Sequence, residues 1–123
     1  MIQVTRNWDG ENYCLTIRGH AGDAPAGQSP VCGAASILYH VIHRLLKKSG
    51  AGFTIDEEKS GEARIYAQTT QQVFEKLEAA EEGFSLLAQH YPECVTLTKR
   101  DMWEMSMSRA EKNNEIFARL GGR

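Results

Sequence analysis

The sequence has no excess of basic charge, no long apolar run and no set of cysteines that pairs off. Fourteen Lys and Arg stand against sixteen Asp and Glu, a net charge of −2 over 123 residues. No basic block exceeds Lys47-Lys48, so the footprint of a DNA or RNA binder is missing and no direct nucleic-acid contact is expected. The longest apolar stretches, such as residues 34–38, fall far short of the roughly 20 residues that cross a bilayer. The first residues also lack a basic segment followed by an apolar core. A protein of the cytoplasm, without a membrane partner, is the expectation. Cys14, Cys32 and Cys94 are an odd number without close pairing, which argues against a disulfide framework and leaves at least one thiol free.

What is present reads as one ordinary folding unit: 41% hydrophobic and 24% charged residues in a length typical of a single domain. Ile2-Gln3-Val4-Thr5 and residues 13–17 are strand-like, and Asp9-Gly10 between them is a hairpin turn signal. Residues 19–28 hold three glycines and a proline among small side chains, which predicts a loop. Ser29-Pro30 reads as a cap and first helical residue, and apolar spacing carries a helix to Lys48, stopped by Gly50. A second hairpin is predicted from residues 53–55 and 63–67 across Lys59-Ser60-Gly61. Thr69 or Thr70 caps a second helix with an apolar stripe of Val73, Leu77, Ala80, Phe84 and Leu87. Residues 95–98 form a fifth strand. The order β-β-α-β-β-α-β predicts an α+β fold, a mostly antiparallel sheet covered by two main helices. Residues 101–123 place Trp103, Met107, Phe117 and Leu120 at helical spacing, so they are expected as a C-terminal helical extension of a domain spanning 1–100.

With Ser29 as cap, Cys32 falls in the first helical turn, where backbone N–H groups lack helical partners and the dipole favours thiolate over thiol. The N–H groups beside Cys32 and Gly33 are expected to receive charge on a carbonyl oxygen during acyl transfer. Gly33, Ala34 and Ala35 leave room for a substrate backbone, although small residues at a helix start also simply allow close packing. Cys14 and Cys94 read as strand residues facing a core.

A base must reach Cys32. His40 and His43 lie about 12 and 16 Å further along the helix axis and are expected out of reach. His90 closes the second helix in a polar setting. His20 ends the second strand at the start of the glycine loop, and that loop must return to the helix start, which makes His20 the leading candidate.

Gly19-His20-Ala21-Gly22, then Gly27, then Val31-Cys32-Gly33-Ala34-Ala35-Ser36 resembles the signature of the ribosomal-processing cysteine protease family Prp: a Gly-His-Ala turn, a glycine loop and a Cys-Ala-Ala-x-Ser helix start. The resemblance spans about residues 1 to 100, and the tail reads as an addition. It implies Cys32 as nucleophile, His20 as general base and Ser36 as a polar residue one turn beyond. Gly33, Ser36, Gly19, Gly22 and Gly27 are then expected to support substrate or an oxyanion hole. The loop would be a mobile cover over a substrate groove. It further implies an endopeptidase without cofactor or metal. The substrate class is the N-terminal extension of a large-subunit ribosomal protein, or, in phage relatives, a capsid or scaffold protein. Because family members pair, and because the tail offers Trp103, Met105, Met107 and Phe117, a homodimer is expected.

One position departs from the pattern. The family carries aspartate three residues before the cysteine, where this chain has Ser29. Serine caps a helix but supplies no negative charge, so Asp23 of the loop is the candidate orienting group, with Ser29 as cap. The departure also motivates an alternative, a non-catalytic homologue that binds peptides. A zinc site from Cys14, His20, Cys32 and Cys94 lacks the close Cys/His pairs such sites use, and no Cys-x-x-Cys supports a redox role. Substrate is expected as an extended strand near His20, with apolar residues before the cut and basic residues beyond it facing Asp56-Glu57-Glu58.

Overall fold

The computed structural model describes residues 1–25, 28–58 and 61–101, the side chain of residue 58 excepted. Five strands and two helices follow in the order β1 (Ile2–Trp8), β2 (Asn12–Arg18), α1 (Pro30–Ser49), β3 (Phe53–Glu58), β4 (Glu62–Gln68), α2 (Gln71–His90) and β5 (Val95–Asp101). The expected order holds. Asp9 Oδ1 accepts the N–H of Glu11 and of Asn12, and Gly10 takes φ of +97°, so the first turn closes as Asp-Gly chemistry predicts. The backbone N–H of Asn12 is the main reason the Asp9 carboxyl titrates below its usual range. Ser29 and Thr70 cap the two helices, their side-chain oxygens accepting the N–H of Cys32 and of Val73, and Gly50 ends α1 with φ of +76°.

The sheet runs β3-β4-β2-β1-β5. It is mixed, which corrects the mostly antiparallel expectation: β1 pairs antiparallel with β2, but β5 runs parallel to β1, with Val4 opposite Leu97. The physical reason is α2. A 20-residue helix separates β4 from β5, so β5 is reached by a crossover over β2 and β1 instead of a tight turn, and a crossover delivers a parallel strand. Asp101, expected to open the tail, is the last residue of β5. The rest of the extension, residues 102–123, lies outside the described residues.

Both helices pack on one face of the sheet. Val4, Trp8, Tyr13, Leu15 and Ile65 on the strands meet Ile42, Leu46, Phe74, Leu77 and Phe84 on the helices in a single buried cluster. Trp8 stacks on Phe74 with ring centroids 4.1 Å apart. Gly83 allows the helices to approach, because a Cβ there would overlap Leu38. The buried stripe of α2 is Phe74, Leu77, Glu81 and Phe84, so Glu81 takes a position that a purely apolar stripe does not foresee. Its carboxylate accepts Arg6 Nε at 3.1 Å and Tyr13 Oη at 2.7 Å, and Arg6 also donates to Asp101. Burial is the largest influence on Glu81 and holds its carboxyl above the usual range against these partners.

Candidate active site

Gly19 leaves β2 with φ of +98°, and its N–H donates to the Gly61 carbonyl at 2.9 Å. A Cβ on Gly19 would overlap the carbonyl oxygen of Met1, so the chain passes here only as glycine. That crossing sets His20 against the β3–β4 turn. The imidazole Nε2 lies 2.8 Å from where a Cβ on Gly61 would stand, and Gly61 has φ of +85°. Next along the loop, Ala21 is buried and its N–H donates to Cys32 Sγ at 3.4 Å.

At the other side, Ser29 Oγ accepts the N–H of Cys32 at 3.0 Å and donates to Asp23 Oδ1 at 2.5 Å. The Gly33 N–H donates to the Ser29 carbonyl at 3.1 Å. This corrects one expectation about the helix start: both N–H groups read from sequence as unpaired are engaged by Ser29. Gly33 is exposed and lines a groove between α1 and α2 with Ala34, Ile37 and Leu38, on a different face of α1 from Cys32.

Cys32, His20, Gly19 and Ser36 share one cleft of about 430 Å³, with Ile2, Ile17, Ala35 and Ala63 as its apolar surface. It is also lined by Tyr39 and His40, which sequence reasoning did not assign to the site, and by Glu57 of the expected acidic run. Tyr39 Oη donates to Glu57 Oε2 at 3.3 Å, and burial, then the charge and hydrogen bond of Glu57, push the phenol up to about 12. His40, expected out of reach, lines the same cleft. The signal for Glu57 was the alternation of Phe53, Ile55 and Glu57, which sends Asp56 to the opposite face and breaks up the expected acidic patch. Glu62, also in the cleft, is paired with Arg64 and Arg18.

Of the remaining expected site residues, Gly22 has φ of +79° and is exposed in the loop. Gly27 lies outside the described residues. Asp23 reaches Ser29, and Cys14 sits beside Thr16 on the sheet face opposite the helices, not in a core. Cys94 is partly buried just before β5, packed against the core. A larger hollow, about 630 Å³, opens near Asn7, Cys14, Phe53 and Tyr66 but holds no histidine. Among the described residues no group of three His, Cys, Asp or Glu is gathered to hold a metal ion.

The cleft thus brings a thiol and an imidazole together at a strand end and a helix start. Residues 1–96 match the family described as Cysteine protease Prp. This chain belongs to the Prp family. Every described residue of the cleft lies within the matched span. Among solved structures, the essential ribosomal processing protease Prp from S. aureus, in complex with a covalently linked product peptide, is similar with a TM-score of 0.65 at 17% identity, over 80% of this chain and 99% of that one. The same protease with a substrate peptide gives 0.58 at 16% identity, over 80% and 99%. A protein from Streptococcus mutans gives 0.65 at 25% identity, over 82% of this chain and 98% of its own. No curated protein matches the chain significantly. Family membership makes this a cysteine protease fold. No helix among the described residues is long and apolar enough to cross a membrane.

Proposed function

We propose that this Prp-family chain is a cysteine endopeptidase that removes the N-terminal extension of a large-subunit ribosomal protein, with Cys32 as nucleophile and His20 as general base. The observation that carries the reading is the shared cleft of His20 and Cys32, whose sulfur accepts the Ala21 N–H. His20 takes the thiol proton, and the thiolate attacks the scissile carbonyl carbon. A C–S bond forms as the C=O π pair moves onto oxygen. Collapse breaks the C–N bond, and the amine leaves with the proton from the imidazolium. Water, deprotonated by His20, then attacks the thioester; the C–S bond breaks and the acid departs.

The substrate of this reading is an extended peptide laid along the β3 side of the cleft, where Glu57 faces residues beyond the cut. Asp23, through Ser29, takes the place of the family aspartate as an acidic group behind the helix start. Self-association in pairs belongs to the same reading, and sedimentation velocity tests it, a dimer being expected. The chemistry is tested by timed iodoacetamide labelling near neutral pH, read by mass spectrometry. Cys32 should be modified faster than Cys14 and Cys94; faster labelling of either of those would overturn the assignment.

A further inference from the structure

We propose that the backbone N–H of Ala21 is the oxyanion donor of this site, an inference that rests on the protease reading above. Acyl transfer places negative charge on a carbonyl oxygen, and a donor must stand about 3 Å from where that oxygen arrives. The two N–H groups of the helix start nearest the sulfur do not serve, because Cys32 N–H caps onto Ser29 Oγ and Gly33 N–H onto the Ser29 carbonyl. Ala21 N–H points instead at Cys32 Sγ, 3.4 Å away, and sulfur is a weak acceptor that holds it loosely. The attacked carbonyl carbon bonds to that sulfur, so its oxygen comes to rest one atom further on, within reach of the same N–H.

The direction of charge flow favours the transfer. As the C–S bond forms, the sulfur gives up its negative charge and the oxygen acquires it, so a donor that begins on sulfur gains strength by moving to oxygen. An interaction stronger in the transition state than before it accelerates the step. The donor is also fixed in advance. Ala21 lies between two anchors, the Gly19 N–H on the Gly61 carbonyl and the Asp23 carboxylate on the Ser29 hydroxyl, and Ala21 itself is 5% exposed. One short segment therefore presents the base, His20, and the donor, Ala21, from consecutive residues.

The test replaces the His20–Ala21 amide with an ester, by incorporating lactic acid at position 21, which removes the N–H and keeps the methyl group. The expected result is a kcat lowered about 100-fold with KM nearly unchanged. An ester protein with wild-type kcat overturns the inference while leaving the protease reading in place. Failure of the unmodified protein to cleave any peptide overturns both. A measurement on the unmodified chain guards against misfolding of the ester form. With ¹⁵N-alanine labelling, the Ala21 amide proton should move downfield when a peptide aldehyde adds to Cys32, and an unmoved resonance in the adduct overturns the inference.

Discussion

Asp23 and Ser29 form one unit: the Asp23 carboxylate accepts the Ser29 hydroxyl at 2.5 Å, and the same oxygen of Ser29 accepts the N–H of Cys32 at 3.0 Å. The resemblance to the Prp pattern leads one to expect aspartate where Ser29 stands, and the chain still brings a carboxylate to the helix start, one hydrogen bond further back. The consequence is a loop tied to the helix that bears the thiol.

Ser29→Ala removes both bonds. The helix should lose about 1 kcal/mol of stability, the ordinary worth of such a cap, seen as a lower urea midpoint with an unchanged slope. Ser29→Asp should not restore the family arrangement by itself, because the new carboxylate would face Asp23. Combining it with Asp23→Ser should recover activity that Ser29→Asp loses, and additive effects in that double-mutant cycle would contradict the coupling.

Gly61→Ala probes the support beneath the imidazole. A methyl group would press on His20 Nε2, and φ of +85° is unfavourable for alanine. Peptide cleavage should fall on the order of ten-fold through kcat. A variant with full activity would mean that His20 is not held where the base must be.

Glu81 tests stability apart from chemistry. Glu81→Ala leaves the Arg6 guanidinium buried without its deepest partner and should cost about 3–5 kcal/mol. Activity per folded molecule should be unchanged, because neither Arg6 nor Glu81 lines the cleft. A loss below about 1 kcal/mol would contradict the role given to this buried cluster.

Tyr39 gives a pH signature. Its phenol is raised in the folded state from 10.0 to about 12, so the protonated form is favoured by folding. The stability it contributes is fully present below about pH 10 and is lost as pH rises through about 12. Urea midpoints of wild type should therefore fall more steeply over that interval than those of Tyr39→Phe. Equal slopes would show that the phenol is not perturbed.

The first hairpin, both helix caps and the thiol at the start of α1 were legible because each rests on local chemistry: Asp9-Gly10, Ser29-Pro30, Thr70 and Gly50 act within a few residues. The parallel partner of β1 was not, because strand direction after α2 depends on where a crossover lands. Arg6 and Glu81 escaped for a related reason. Each is a charge at a core position of its own element, and only their meeting across 75 residues of sequence makes either burial tolerable. In the site, the spacing of His20 and Cys32 was readable, whereas Tyr39, His40 and Glu57 enter through the packing of α1 against β3. The capture of the Cys32 and Gly33 N–H groups by Ser29 was implicit in reading Ser29 as the cap.

The central claim is that Cys32 cuts a peptide bond. The direct measurement incubates a large-subunit ribosomal protein carrying its N-terminal extension with the wild-type chain and with Cys32→Ala, and follows intact mass over time. The account predicts a single cut that removes the extension in the wild-type reaction, and an uncut precursor with Cys32→Ala that is as well folded as wild type. Cleavage that persists in Cys32→Ala, or a precursor left whole by both proteins, would contradict it.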